Sequence, residues 1–398
     1  MYYSKGNIQM VDCGRGTEMV HATESTLDEF GAYCKEIEAS GYEKLFERTL
    51  AKNVYAAFKG EEEYVYAYYT ENTGAVRTVH GALAEYGDED CGSLPNICKP
   101  LLCAVGQPSF MNCGQGYIYR LADGRFLVHD GGCKYDCRPD FMYERIRELA
   151  VDENNIVIAA WFISHPHGDH QDAFEEFIEK HGSDDSVKVE RVIFNYAKAS
   201  MYTYQRKDGQ REDCEGLVHS IYKKCAEYIP DAKVIKAHTG QIFNFVECKV
   251  EVLFTVEDFL PAEYFDYVNG TSIVIRVTID GQSAMLLADT THTSGRILEN
   301  SFGDFLRADM VQFAHHGMWA SYPSLYEYIA ADIILWPNIE PVAKTWLNDK
   351  PIVAAMNIAK DVYISGTEAV LLELPHTIEG NKETVVERLN NLCMLRFV

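Results

Sequence analysis

The pattern of apolar and polar residues predicts two regions, and the first is a helix packed on a small sheet. The stretch "STLDEFGAYCKEIEASGY" places its apolar residues at helical intervals between a Ser or Thr cap and Gly41, which predicts a helix of about three turns. The stretches at 42–50, 53–60 and 63–81 alternate aromatic or branched residues with polar ones, which predicts antiparallel strands. Their tyrosines are interpreted as covering one face of the sheet. We therefore predict a small α+β domain over residues 1–95.

A different pattern follows the segment at 86–100, whose Gly, Pro and charged residues are typical of a linker. Residues 116–132 predict a β-hairpin that turns at Asp123 and Gly124, and helices and strands alternate after it. They include a predicted helix over 171–182 and a second hairpin that turns at Asp280 and Gly281. Hairpins followed by this alternation occur twice, which predicts two sheets packed face to face with helices outside. We therefore predict one four-layer domain over residues 100–398. The polar stretch "YQRKDGQRED" is predicted as a loop.

Composition narrows the classes of protein that fit this pattern. The 398 residues are 47% hydrophobic, which is enough for a sizeable core and for two or three domains. With 36 basic and 60 acidic residues the formal net charge is −24, which disfavours nucleic acid as a partner but leaves a small phosphoester acceptable to a metal-rich pocket. The cysteines are scattered, and neither a membrane-spanning apolar stretch nor a signal-peptide core is present. These features predict a cytoplasmic protein with reduced thiols and no membrane partner.

The stretch "FISHPHGDH" carries the strongest chemical signal of the chain, because it follows a predicted buried strand. In an extended segment His165 and His167 face the same point, and Gly168 lets the chain bend so that Asp169 and His170 face a neighbouring point. Neutral imidazole and carboxylate groups are ligands of zinc, manganese and iron. The alternative is a chance run of surface histidines, which is improbable in a chain with 13 histidines.

The pattern His-x-His-x-Asp-His resembles the metal-binding motif of the metallo-β-lactamase fold superfamily, over about residues 105–398. "YIYRLADGRFLVHDGG" is similar to the opening hairpin of that family, and "MLLADT" to the strand that ends in its metal-bridging aspartate, here Asp289. "DMVQFAHHG" resembles the later strand that ends in His-His-Gly, here His315, His316 and Gly317. The resemblance implies an α/β (α+β) fold, a four-layer αββα sandwich that holds one or two metal ions between the sheet edges.

Physical arguments support these two later stretches as well. Asp289 follows five apolar residues, so its carboxylate needs a cation or hydrogen-bond donors to offset its desolvation. The alternative role for Asp289 is the cap of the following helix. His315 and His316 point in opposite directions in an extended segment, so only one is expected to be a ligand. The other contacts substrate or is a hydrogen-bonded core histidine.

The chain also departs from the superfamily pattern. Many members supply a further histidine after a strand like "CKVEVLFT", where this chain has Glu257 and Asp258. His238 lies before that strand and is interpreted as structural. Together with His-His-Gly, Asn269 and Ser272 match an Asn-x-x-Ser pattern that resembles one branch of the superfamily. That branch contains the hydrolase domain of competence-type DNA-uptake proteins and the phosphorylcholine esterases.

The resemblance implies two divalent metal ions, zinc first with manganese or iron as alternatives, which share and activate a hydroxide nucleophile. The ligands implied are His165, His167 and one of His315 and His316 for the first metal, Asp169 and His170 for the second, and Asp289 between them. Asp169 is also expected to orient the nucleophile.

The predicted function is hydrolysis of a phosphoester, either a phosphodiester or a phosphorylated small molecule. The alternatives are a lactone or thioester hydrolase with the same metals, and a non-catalytic metal-binding sensor or interaction protein. Arg206, Lys207 and Arg211 in the polar loop either hold a substrate phosphate or are solvated. Whether the chain forms a homo-oligomer stays open.

Overall fold

Three β-sheets of six, eight and seven strands, with a separate two-stranded hairpin, form the frame of the protein. The structure is a computed structural model that describes residues 2–106, 114–133, 140–319 and 321–392. The predicted 100–398 region therefore includes 107–113, 134–139, 320 and 393–398, which lie outside the described residues.

The six-stranded sheet occupies the N-terminal part of the chain and is antiparallel throughout, in the order β1-β2-β6-β5-β4-β3. Its elements are β1 (Asn7–Asp12), β2 (Glu18–Thr23), helix α1 (Leu27–Ala39), β3 (Glu43–Leu50), β4 (Asn53–Lys59), β5 (Glu63–Thr70) and β6 (Ala75–Ala82). The predicted helix is confirmed, and Thr26 caps it in a capping box with Glu29. The sequence analysis missed β1 and β2. In β1 only Val11 is buried, so this edge strand shows no alternating pattern.

The two faces of the N-terminal sheet pack against different partners. One face packs on α1 through small and branched residues such as Ala56 and Val65. The other carries Tyr64, Tyr66 and Tyr68, which belong to the large core shared with the rest of the chain. The tyrosines therefore cover a sheet face, as the sequence pattern predicted.

The eight- and seven-stranded sheets form the remainder of the described chain. Their strands and the hairpin are, in chain order, β7 (Leu101–Ala104), β8 (Gly116–Arg120), β9 (Phe126–Asp130), β10 (Ile156–Phe162), β11 (Val187–Val189), β12 (Arg191–Phe194), β13 (Thr203–Gln205), β14 (Arg211–Asp213), β15 (Lys233–Lys236), β16 (Ile242–Asn244), β17 (Cys248–Phe254), β18 (Val274–Ile279), β19 (Gln282–Leu286), β20 (Met310–Gln312), β21 (Ile333–Trp336), β22 (Asp361–Ile364) and β23 (Val370–Glu373). The eight-stranded sheet has the order β15-β12-β10-β9-β8-β7-β23, with β11 beside β10. The seven-stranded sheet runs from β16 to β22 in chain order.

The two sheets pack face to face, with helices on the outside. Phe162 of β10 meets Phe243 of β16 with ring centroids 5.8 Å apart, and Gln312 of β20 donates a hydrogen bond to Gln115 beside β8. The helices are α2 (Phe141–Leu149), α3 (Gly168–His181), α4 (Glu215–Tyr228), α5 (Val256–Phe259), α6 (His292–Phe302), α7 (Pro323–Ile329), α8 (Glu340–Trp346), α9 (Lys350–Ile358) and α10 (Lys382–Asn391). Helix α3 contacts β9 of one sheet and α6 contacts β17 of the other. The predicted fold class, a mixed α and β chain with an αββα sandwich, is confirmed.

Several local predictions can be compared with this frame. The β18–β19 hairpin turns at Asp280 and Gly281, both at positive φ, as predicted. The stretch predicted as a polar loop instead forms the β13–β14 hairpin, because its Tyr204 and Glu212 side chains turn inward. The segment at 86–100 holds no helix or regular strand, although its Asp90 bridges to Asn244. The division into two domains near residues 95–100 stays a prediction.

Within the described ranges, the structure contains no helix with the length and apolar character needed to cross a bilayer.

Candidate metal centre

The predicted metal-binding residues lie at the carboxyl ends of parallel strands, where α/β proteins commonly bind ligands. Strand β10 is parallel to β9 and β12, and His165 follows its end. Helix α3 begins at Gly168, earlier than predicted, with His167 as its N-cap residue. Asp169 and His170 therefore lie in the first helical turn. A carboxylate there is stabilised by the helix dipole.

One group of donors consists of Asp169, His170, Asp289 and His316, whose ligand atoms converge. His170 Nε2 lies 3.3 Å from Asp289 Oδ1, and His316 Nε2 lies 3.3 Å from Asp169 Oδ2 and 3.6 Å from Asp289 Oδ1. His170 Nε2, His316 Nε2 and Asp289 Oδ1 are buried and have no hydrogen-bond partner in the described chain. Such orphaned buried atoms are costly unless something else binds them.

A second group shares Asp289 and adds His165 and His167. His165 Nε2 and His167 Nδ1 are 3.0 Å apart, and His165 Nε2 lies 3.9 Å from Asp289 Oδ2. Both oxygens of Asp289 therefore face donors, one oxygen toward each group. Asp289 is not the cap of the following helix, because Thr291 caps α6.

The two late histidines do not point in opposite directions as predicted. His315 and His316 adopt φ values of 51° and 56° rather than an extended conformation, so both Nε2 atoms approach Asp289. The tight turn ends at Gly317, where a Cβ would lie 2.2 Å from Trp336 Nε1, so only glycine fits.

The late histidine also lies in a different donor group from the one expected. It was predicted to join His165 and His167, whereas in the structure His316 lies with Asp169 and His170. His315 lies beside Asp289, with Nε2 3.8 Å from Oδ2, and its side chain is 13% exposed. The side chains of His167 and Asp169 are 20% and 19% exposed, so these three donors lie on the solvent-accessible side of the centre.

Asp130 supports the centre from behind, a role that the sequence analysis did not assign. It ends β9 at φ 56° and accepts hydrogen bonds from the Ser164 backbone at 2.8 Å and from His170 Nδ1 at 2.8 Å. This bond leaves His170 Nε2 free to face Asp289. Second-layer carboxylates of this kind orient metal-binding histidines. The Asp-Gly-Gly stretch at 130–132 was the sequence signal from which this role of Asp130 could have been predicted.

Glu212 was also missed, because its hairpin was predicted as a loop, and so was Cys214, which follows the hairpin as the N-cap residue of α4. Glu212 Oε1 lies 3.0 Å from His167 Nε2. The third group of donors consists of His167, Glu212 and Cys214. Since Nδ1 of His167 faces His165, the Glu212 contact orients the ring from its far side. Only the inward burial of Glu212 in β14 shows this role.

The two residues of the Asn-x-x-Ser pattern contact the metal centre, whereas of the three basic residues in the β13–β14 hairpin only Arg206 lies next to it. Asn269 Nδ2 donates to Asp289 Oδ2 at 3.1 Å, and Ser272 Oγ lies 3.2 Å from His165 Nδ1. Arg206 lies over the ring of Tyr267, 4.3 Å from its centroid, next to the centre. Arg206 also pairs with Asp208 at 3.0 Å and lies 4.0 Å from Glu212. The more exposed side chains of Lys207 and Arg211 pair with Asp266 and Asp213.

His238 and Glu257 lie apart from the centre and contact each other. His238 Nδ1 is 2.8 Å from Glu257 Oε1, and His238 Nε2 is 3.0 Å from the Tyr64 hydroxyl. The structural interpretation of His238 agrees with this position. Asp258 accepts a hydrogen bond from Tyr68, so neither carboxylate replaces the missing histidine.

Electrostatics at the centre favour a bound cation. Burial lowers the pKa of His170, but the carboxylates of Asp289, Asp130 and Asp169 outweigh it and raise that pKa well above its ordinary value. Burial and the adjacent His170 and His167 hold the pKa of His165 well below its usual range. Burial raises the pKa of Asp130, yet His129 and His170 lower it to about 2. A metal ion can replace the proton that His170 otherwise holds among these carboxylates.

The donor set fits divalent transition metals. Imidazole nitrogens and carboxylate oxygens suit zinc, iron and manganese, and the two groups can each hold one ion with Asp289 in common. The partial exposure of His167, Asp169 and His315 shows that solvent reaches one side of the centre.

Comparisons with known proteins reach the level of the fold. No protein-family model and no curated protein match the sequence. The structure is similar to the metallo-beta-lactamase fold protein YhfI from Bacillus subtilis, with a TM-score of 0.42 and 12% identity over 69% of this chain and 99% of that one. It is also similar to CmlA, a diiron beta-hydroxylase from Streptomyces venezuelae (TM-score 0.40, 10% identity, 71% of this chain and 55% of that one). A third similar structure is Zn(2+)-bound PqqB from Methylobacterium extorquens (TM-score 0.40, 9% identity, 69% and 100%). At such low TM-scores and identities, these likenesses say nothing about the metal or reaction of this chain.

Proposed function

We propose that the protein is a metal-dependent hydrolase that uses two divalent cations to hydrolyse a phosphoester, either a phosphodiester or a small phosphorylated molecule. Zinc is the first choice of metal, with manganese or iron as alternatives. The observation that carries the proposal is the convergence of two donor groups on the two oxygens of Asp289. In the first group, the buried His170 Nε2, His316 Nε2 and Asp289 Oδ1 lack hydrogen-bond partners in the described chain, which favours a working metal centre over a vestigial one.

The ligands follow from the two groups. His165, His167 and Asp289 would hold one cation, and Asp169, His170 and His316 would hold the other together with Asp289. Bound divalent cations would supply a water nucleophile at neutral pH and offset negative charge that develops on the substrate oxygens.

The residues of the chain would do the remaining work. Asp169 is 19% exposed and can accept a hydrogen bond from the attacking water, which orients it. His315 lies beside Asp289 with its side chain 13% exposed, and it can donate a proton to the leaving oxygen. Asp130 and Glu212 hold the rings of His170 and His167 in place from behind.

Arg206 favours a phosphoester over an uncharged substrate. Its guanidinium lies on Tyr267, whose ring centroid is 6.2 Å from that of His167 and 6.0 Å from that of His315. Arg206 pairs with Asp208 at 3.0 Å, and an anionic substrate would compete with that carboxylate for the guanidinium. In a chain of net charge −24, a cation next to the centre offsets repulsion of such a substrate. Lactones and thioesters do not require such a cation. We further propose a small molecule rather than nucleic acid as the substrate, because the chain lacks the positive charge that nucleic-acid binding uses.

The test combines metal analysis with a substrate screen. We expect about two metal equivalents per chain and turnover of bis(p-nitrophenyl) phosphate that a chelator abolishes and added metal restores. Turnover of lactones or thioesters in place of phosphodiesters would replace the phosphoester assignment. A chain that takes up no metal would point to the sensor or interaction alternative.

A matched pair of variants tests the role of Arg206. We expect Arg206→Gln to raise KM for the phosphodiester about tenfold, in line with loss of a charged contact. The control is Lys207→Gln, which removes the exposed charge of the next residue in the chain and should leave KM unchanged. Equal effects of the two variants would remove the argument for an anionic substrate.

A further inference from the structure

A cavity of about 750 Å³ lies where the N-terminal sheet meets the two-sheet part. Its walls are the turn between β1 and β2, the loop after β12, one face of α4 and the end of β15. The volume is typical of a site for a small molecule. None of the described metal-centre donors lines it.

Lys236, at the end of β15, is the unusual residue of this cavity. It is only 6% exposed, and its Nζ donates one long hydrogen bond, 3.4 Å, to the backbone oxygen of Tyr196. No carboxylate of the described chain lies within ion-pair distance of this ammonium group. Glu257 interacts with Lys236 only from beyond ion-pair distance. A buried ammonium group without a direct ion pair is costly, so a bound anion would stabilise the site.

The other charges of the cavity do not neutralise Lys236. Arg15 pairs with Glu85 at 3.3 Å, and Lys198 pairs with Asp12 at 2.8 Å. These two carboxylates are therefore already engaged. Lys223 is exposed on the same cavity wall. Glu215 also lines the cavity, 3.6 Å from His219. Beyond the two ion pairs, Lys223 and Lys236 stand against this one carboxylate, so the lining is positive by one charge, in contrast to the acidic chain as a whole.

We propose that this cavity is a second ligand site, which binds a small anionic molecule through a phosphate or carboxylate group held by Lys236. Tyr196 and Tyr222 line the same cavity and can pack against the organic part of the ligand. The ligand would contact both the N-terminal sheet and the two-sheet part. The site is separate from the proposed reaction, because its lining shares no residue with the metal centre.

Calorimetric titration of the full metal-loaded chain with inorganic phosphate, and separately with citrate, tests the site. We expect binding of at least one anion, and the two arms show whether the site prefers phosphate or carboxylate groups. Lys236→Met should weaken that binding at least tenfold. The matched control Lys233→Met removes an exposed charge from the same strand, where Lys233 pairs with Asp88, and should leave affinity unchanged.

Asp289→Asn separates this site from the metals. Anion binding that persists in Asp289→Asn and is lost in Lys236→Met supports the proposal, even if no hydrolysis is found. Binding lost in Asp289→Asn but kept in Lys236→Met overturns it, as does the absence of binding to the unaltered chain. If Lys236→Met does not fold, Arg15→Gln on the exposed turn provides the second variant, and unchanged affinity in Arg15→Gln would then count against the site.

Discussion

The chain buries two sets of histidine and carboxylate side chains, and they differ in how their polar atoms are satisfied. At the metal centre, His170 Nε2, His316 Nε2 and Asp289 Oδ1 face one another without hydrogen-bond partners in the described chain. At the His238–Glu257 contact, both ring nitrogens of His238 have partners, one on Glu257 and one on the Tyr64 hydroxyl. Both sets are deeply buried, so burial alone does not distinguish them.

The difference shows what identifies a ligand histidine. At the His238–Glu257 contact, the N-terminal sheet supplies the second partner, and the nearby Tyr66 hydroxyl donates to the Thr239 carbonyl. These bonds satisfy both ring nitrogens of His238 and attach the sheet to the rest of the chain. Glu257 Oε1 also accepts a hydrogen bond from Asn195, whereas its Oε2 has no hydrogen-bond partner in the described chain. At the metal centre no protein donor takes this position, so a cation is the group that fits. Ring nitrogens that converge without partners, as those of His170 and His316 do, therefore indicate a metal, whereas the pairing of His238 indicates a structural contact. His165 and His167 are paired with each other and His167 also with Glu212, so their proposed role as ligands depends on their convergence on Asp289.

The largest expected effect follows from Asp289→Asn. Because Asp289 belongs to both donor groups, this variant should lose at least half of the bound metal and about 1000-fold or more of the hydrolytic rate. Elemental analysis and steady-state kinetics give the two readouts. A variant that keeps two metals would contradict the shared role of Asp289.

In contrast to Asp289→Asn, His238→Gln should lower the stability of the fold and leave metal binding intact. The variant leaves the Glu257 carboxylate buried without its partner, so the free energy of unfolding in urea should fall by about 3 kcal/mol. Metal content should stay unchanged. The double variant with Glu257→Gln should recover part of the stability, because it also removes the buried charge. Loss of metal in His238→Gln would erase the distinction between the two sets.

Asp130→Asn tests the support behind the metal centre. The carboxylate that orients His170 becomes an amide of similar size, so affinity for the metal should fall by about 10- to 100-fold. Competition with a chromogenic chelator measures this change. Asp123→Asn, in the loop at the other end of the same hairpin, breaks a buried pair with Arg125 and should leave metal affinity unaltered.

The smallest expected effect is the pH dependence of the His238–Glu257 contact. Burial raises the pKa of Glu257, but His238 and Lys236 outweigh it and hold the pKa below its ordinary value. A carboxyl group with a lowered folded-state pKa stabilises the fold above its unfolded value of about 4.3, and this contribution is lost as the pH falls through the folded-state pKa. The free energy of unfolding should therefore fall below about pH 4 with a slope of up to about 1.4 kcal/mol per pH unit. Glu257→Gln should flatten the curve, and identical curves for both proteins would contradict this assignment.

Much of the fold could be predicted because its signals are local. The spacing of apolar residues in α1 and the Asp280-Gly281 turn each involve a few neighbouring residues, and the structure confirms both. The first two strands and the β13–β14 hairpin were missed, because short or edge strands bury too few side chains to show a pattern.

At the candidate site as well, some residues could be predicted from local motifs and others could not. The donor residues could be named from motifs at strand ends, and the structure brings all of them together. The supporting roles of Asp130 and Glu212 could not be predicted, because each depends on a contact with a histidine 40 or 45 residues away in the sequence.

The sequence by itself determined which side chains are available as donors and that each follows an apolar strand, since both properties belong to short stretches of chain. Only the tertiary structure decided that His316 joins Asp169 and His170, and that His238 is paired with Tyr64, 174 residues earlier. The physical reason is that these choices depend on distances between remote strands and on the positive φ values of His315 and His316. The alternation of apolar and polar residues encodes neither of them.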